Sequence, residues 1–169
     1  DEAAGMAVEG LRKLKAEGKA PDKLVVMVPP GCVGHYESPF PEGAPTSKQV
    51  FFDETGIELE LVDVVETEQT TKVIQDYQTG ARAYDVYSYW SDETADLAAS
   101  GAILNLDEFV DKYKPDWNDP QWGNVGGDVT TTSTSKYLGS VYNVVMDGDY
   151  QLWVYRRDLF EDPKERKAF

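Results

Sequence analysis

Ala83-Tyr84-Asp85-Val86-Tyr87-Ser88-Tyr89-Trp90-Ser91-Asp92 is rich in Val and Tyr, and it ends at an aromatic pair followed by Ser-Asp. The pattern predicts a short buried strand that gives way to a helix cap. In an open α/β sheet, ligands bind where the strands end at their carboxyl edge. Trp90 is therefore expected at that edge, on a loop, beside the N-terminus of the next helix. A wide aromatic face next to polar groups and free backbone N–H groups suits a polyhydroxylated small molecule. The plainer reading of Trp90 is a large core residue capping the sheet, because tryptophan is usually largely buried.

Upstream, Leu24-Val25-Val26-Met27-Val28 form an unbroken apolar run, the mark of a strand covered on both faces. A second strand is expected over 57–65, with Leu59 and Leu61 on one face and Val62 and Val64 on the other. Between them, residues 29–47 read as a long polar loop with five prolines and three glycines. Loops of that length are usually functional or disordered. This one leaves a strand at the same edge as Trp90. Helices are expected over 5–17, 49–54, 69–79, 93–100 and 107–113. Residues 66–68 are the loop at the carboxyl end of the second strand. The order is βαβαβα, and its short crossovers imply parallel strands with right-handed connections. The fold class is α/β, a layered, mostly parallel sheet with helices on both faces.

Beyond residue 115 the character changes. Residues 115–135 hold Trp117, Trp122, three glycines and a Thr/Ser cluster, and read as a surface excursion. A strand is expected over 136–144, a turn at Met146-Asp147-Gly148-Asp149, and another strand over 151–155. Residues 163–169 resemble the first turns of a helix, which implies a piece of a longer protein. No internal repeat is found.

With 169 residues, 41% hydrophobic and 28% charged, the chain has the composition of a globular domain of ordinary size. Its formal net charge of −15 argues against nucleic acid and against anionic membrane surfaces. No apolar run is long enough to span a bilayer. The single cysteine, Cys32, has no internal disulfide partner and stands too far along the chain to carry a mature lipoprotein's lipid.

Cys32 and the only histidine, His35, lie close together in the Pro/Gly loop, the makings of a nucleophile and base or of half a metal site. Neither a second histidine nor a second cysteine completes a zinc site, so no metal is expected. Asp147-Gly148-Asp149 lacks the later ligands of a calcium loop and reads as a tight turn. No phosphate-binding glycine motif occurs, and no cofactor is expected. The twenty aromatics are the stronger signal. Tyr36, Tyr89, Trp90, Trp117 and Trp122 all fall in expected loops or loop edges and favour a ligand groove over a catalytic site.

Several stretches then resemble, in order, the N-terminal lobe of the family 1 extracellular solute-binding proteins. They are Phe51-Phe52-Asp53-Glu54-Thr55-Gly56-Ile57-Glu58-Leu59, then Tyr84-Asp85-Val86-Tyr87, then residues 97–109 from Leu97-Ala98-Ala99-Ser100-Gly101 to Asp107-Glu108-Phe109. Residues 139–149 and Trp153-Val154-Tyr155-Arg156-Arg157-Asp158-Leu159-Phe160 complete the set. The resemblance implies a periplasmic-binding-protein-like lobe, one half of a two-lobed clamp that closes about a hinge. The expected organisation is a helix and turn over 1–22, the ligand-binding lobe over 23–147, and the hinge crossing with the start of a largely absent second lobe over 148–169. By position, the aromatic at the ligand falls on Tyr89 or Trp90, the polar helix start on Ser91 and Asp92, and the acid of the crossing segment on Asp147. The loop after the first strand contributes Gly34, His35, Tyr36 and Glu37, and the loop after the second contributes Thr67. The implied role is not enzymatic. It is capture of a small solute, most readily a carbohydrate or polyol, for the membrane permease of an ABC importer, in the periplasm or outside the cell. A polyamine or quaternary amine is the alternative within that fold. A self-contained flavodoxin-like enzyme or regulatory domain is the alternative outside it.

Overall fold

The computed structural model describes residues 2–39, 41–116, 136–144 and 156–167. Its centre is β1 (Lys23–Val28). On one side β1 pairs in parallel with β2 (Glu58–Asp63), in a register that runs from Lys23 opposite Glu58 to Val28 opposite Asp63. On the other side it pairs in parallel with β3 (Val86–Tyr87), with Val26 opposite Val86 and Met27 opposite Tyr87. The order β2-β1-β3 explains the continuous apolar run, because the central strand meets packed side chains above and below.

Met27, Val62 and Tyr87 share one face of the sheet by this register. They pack in a core with Val64, with Val73 of α4 (Glu66–Thr79) and with Leu97 of α5 (Thr94–Ser100). Val26 and Val28 point the other way and are also buried. α1 (Glu2–Ala16) packs on α3 (Ser47–Thr55), and α3 packs on β2. The Thr46 hydroxyl caps α3 by accepting from Gln49 N–H at 3.1 Å. The parallel α/β sheet flanked by helices is thus as expected.

Four local expectations are corrected. The loop over 29–47 is not without regular structure: it contains α2 (Val33–Glu37), so Gly34, His35, Tyr36 and Glu37 are helical. The second correction concerns residues 66–68, which are the first turn of α4 rather than a loop, and Thr67 lies in that turn. Glu66 and Glu68 there complement the positive end of the helix dipole, and Glu68 pairs with Lys72 at 2.9 Å. Next, the strand at 83–92 is shorter and less buried than its Val/Tyr content implies. β3 is an edge among the described strands, and Val86 is 46% exposed.

Finally, residues 136–144 form a hairpin rather than one strand. β4 (Lys136–Tyr137) and β5 (Ser140–Val141) pair antiparallel about Leu138-Gly139, both at positive φ. Such a turn matches the right-handed twist of its strands. α6 (Asp107–Tyr113) receives this hairpin: Leu106 N–H donates to Val141 O at 2.8 Å, and Val141 N–H donates to the Asp107 carboxylate at 2.8 Å. Single helical turns occupy Arg157–Phe160 and Pro163–Arg166. Trp117, Trp122, the turn with Asp147 and the strand expected over 151–155 lie outside the described residues.

Candidate functional site

After β1 the chain moves toward β2, and after β3 it moves away toward α5. The carboxyl ends of β1 and β3 therefore border a topological switch point, where a crevice opens in sheets of this kind. Ser88 N–H donates to Met27 O at 2.8 Å and closes the pairing there. Just past this bond, Tyr36 of α2 shares a side-chain hydrogen bond with Ser88. One residue from each exit segment thus meets at the crevice. Burial raises the Tyr36 hydroxyl above its usual 10.0, the Cys32 thiol nearby adds to the effect, and the Ser88 bond offsets part of it. Tyr36 therefore stays neutral at physiological pH.

The Tyr89 ring turns inward and packs on the core, and Trp90 turns outward at 47% exposure. Ser91–Glu93 follow as a 3₁₀ turn that leads into α5. Ser91 and Asp92 belong to that turn and do not cap α5 with their side chains, contrary to the expected Ser-Asp cap. Both are exposed. Tyr89 Oη accepts from the Asn143 amide at 3.1 Å, and Thr94 Oγ1 accepts from the same amide at 3.0 Å. Burial pushes the Tyr89 hydroxyl upward, an effect that the bonds with Asn143 and Thr94 moderate.

Not every expected residue joins this rim. His35 is exposed on α2, and its N–H donates to Cys32 O, a backbone bond that joins no side chains of the pair. Gly34 lies close to the Ser38 hydroxyl. The Glu37 carboxylate pairs with Lys48 at 2.8 Å. Thr67 is exposed in the first turn of α4, and Asp147 lies outside the described residues.

Sequence reasoning missed Ser88, Thr70, Glu93 and Asn143. Thr70 donates to Glu93 Oε1 at 2.7 Å and so ties α4 to the start of α5, while Glu93 Oε2 is buried without a hydrogen-bond partner. The signal for Glu93 was its place three residues after Trp90. Asn143 carried none. Gln69, which ordinary polarity would put outside, is buried and donates to Val64 O at 3.0 Å, fixing the start of α4 to the end of β2. Among the described residues no group of His, Cys, Asp and Glu is arranged to hold a metal ion. The segments that leave β1 and β3 thus carry the exposed Trp90 face, the Tyr36 and Ser88 hydroxyls and the exposed Ser91 and Asp92.

Among the described residues no helix is long and apolar enough to cross a membrane. No curated protein matches the chain. The model of the family described as "Bacterial extracellular solute-binding protein" matches residues 36–168, which includes Tyr36, the sheet edge with Trp90, and Asn143. The match covers most of the chain, and the chain belongs to the bacterial extracellular solute-binding proteins, which capture small solutes for ABC permeases.

Proposed function

We propose that the rim at the carboxyl edge of β1 and β3 binds a neutral carbohydrate or polyol. The observation that carries this reading is Trp90, a large aromatic side chain 47% exposed beside a topological switch point. A sugar presents an apolar ring face that stacks on indole and hydroxyls that donate to carboxylates. Trp90 is the stacking surface, and Asp92 and Asp147 are the acceptors. Tyr36, Tyr89 and Ser91 line or support the approach. Residues 23–147 act as the solute-binding lobe, and residues 148–169 cross toward a second lobe that closes over the solute. A charge-assisted hydrogen bond contributes about 1.5–3 kcal/mol. A few of these and one stacked ring account for roughly micromolar affinity once the cost of association is subtracted. The place of work is the periplasm or the cell exterior.

Isothermal titration of the full chain with glucose, maltose and glycerol, and separately with spermidine and glycine betaine, tests this reading. Heat with a sugar or polyol, abolished in Trp90→Ala, supports it. Heat with the amines alone overturns it in favour of a cation–π site.

A further inference from the structure

We propose that Asn143 is a positioning residue for the aromatic rim, fixing the 90–93 turn at both of its ends from outside it; its bearing on solute capture rests on the reading of Trp90 given above. The two residues that accept from its amide are Tyr89, immediately before the turn, and Thr94, immediately after it. An Asn amide nitrogen has two hydrogens, and each has one acceptor here. Both acceptors are themselves anchored: the Tyr89 ring packs on the core, and Thr94 is buried.

Asn143 is in turn held independently of the turn. Two residues earlier, Val141 is bonded through its carbonyl to Leu106 N–H and through its N–H to the Asp107 carboxylate, both at 2.8 Å. The hairpin is thus docked on α6, and Asn143 reaches from it to the rim across a sequence separation of 54 residues to Tyr89 and 49 to Thr94. Tyr89 and Thr94 also share a hydrogen bond across the turn, a third tie, and the Thr70–Glu93 bond is a fourth, to α4. A four-residue turn held at both ends and at its last residue has little freedom to reorient Trp90. Substrate-positioning geometry of this kind depends on locked supporting side chains.

The test uses the full chain labelled with 5-fluorotryptophan, with the Trp90 fluorine resonance assigned by its loss in Trp90→Phe. Asn143→Leu keeps the bulk of the side chain and removes both donors. It is expected to shift and broaden the Trp90 resonance and leave the other indole resonances in place. In Asn143→Asp the carboxylate can accept from the same two hydroxyls, which serve as donors or acceptors, so the parental resonance is expected to return. A Trp90 resonance that is unmoved in Asn143→Leu, or displaced equally by both substitutions, overturns the proposal. If Asn143→Leu does not fold, Tyr89→Phe and Thr94→Val each remove one acceptor, and an unmoved resonance in both has the same force. No solute is present, so failure of the solute reading shows itself separately, as absence of heat in the titrations.

Discussion

The Asp85 carboxylate accepts from Val25 N–H at 2.8 Å, and Asp85 N–H donates to Val25 O at 2.8 Å. A side chain thereby supplies one rung between β1 and β3, where the regular ladder spans only two residue pairs. Asp is poorly suited to a strand interior but well suited to this place, where its short carboxylate substitutes for a carbonyl. Asp85→Ala is expected to lower stability by about 1 kcal/mol, with Asp85→Asn recovering most of the loss through its amide oxygen. Chemical denaturation of the three proteins checks this. Equal losses in Ala and Asn would mean that the carboxylate acts by its charge and not as an acceptor.

Leu97 is fully buried against Met27, Val64 and Val73, so one side chain of α5 joins the helix to β1, to the segment after β2 and to α4. Leu97→Ala is expected to cost about 2–5 kcal/mol, the range for a buried leucine whose surroundings cannot collapse. Urea unfolding measures it. A loss under about 1 kcal/mol would show that α5 is loosely seated, and the rim that precedes it with it.

Burial is the leading cause that raises the hydroxyls of Tyr36, Tyr87 and Tyr89 above 10.0. As pH rises through that value the unfolded chain loses these protons first, so it binds fewer protons than the folded chain and stability falls. The contribution is complete below pH 10.0 and disappears as pH climbs through the folded values. Urea midpoints are expected to decline between about pH 9 and about pH 11, less steeply in Tyr87→Phe, which removes one of the ionising groups. A decline of the same slope in Tyr87→Phe would assign the alkaline sensitivity to other groups.

The legible parts of this chain are those fixed by periodicity and by strand order. Leu24 to Val28 read as a buried strand because every residue is apolar, and such runs occur where both faces are covered. Trp90 was placed at a carboxyl edge because strand exits follow from topology without knowledge of packing. β3 looked buried since Val and Tyr favour strands wherever they lie, and composition alone does not separate an edge from a centre. Pro29-Pro30-Gly31 and Gly34 concealed α2 behind residues that punctuate loops. Leu138 gave no turn signal, because a leucine at positive φ is uncommon and the hairpin needs one there. Asn143 was illegible for a different reason: its partners are 54 and 49 residues away, and the packing of the hairpin against α5 and α6 brings them together.

Two helix ends permit a controlled comparison. Gly80 closes α4 at φ 67, ψ 22, and Gly101 closes α5 at φ 76, ψ 10, so both occupy the left-handed region with nearly the same geometry. An added Cβ at Gly80 meets nothing within 4 Å, whereas at Gly101 it lies 3.3 Å from Tyr77 Oη and 3.6 Å from the ring. Gly80→Ala therefore isolates the backbone cost of a left-handed alanine, about 1 kcal/mol. Gly101→Ala carries that cost and the contact with Tyr77 as well. Tyr77 is 55% exposed, so its ring can give way and the added cost is a fraction of the backbone one. Thermal unfolding is expected to rank the parent above Gly80→Ala and Gly80→Ala above Gly101→Ala. In a Tyr77→Ala background the two glycine substitutions should become equal, because the only difference between the sites has been removed. If Gly101→Ala remained the more harmful there, the backbone at the end of α5 would be the tighter of the two, and the Tyr77 contact would have no part in it.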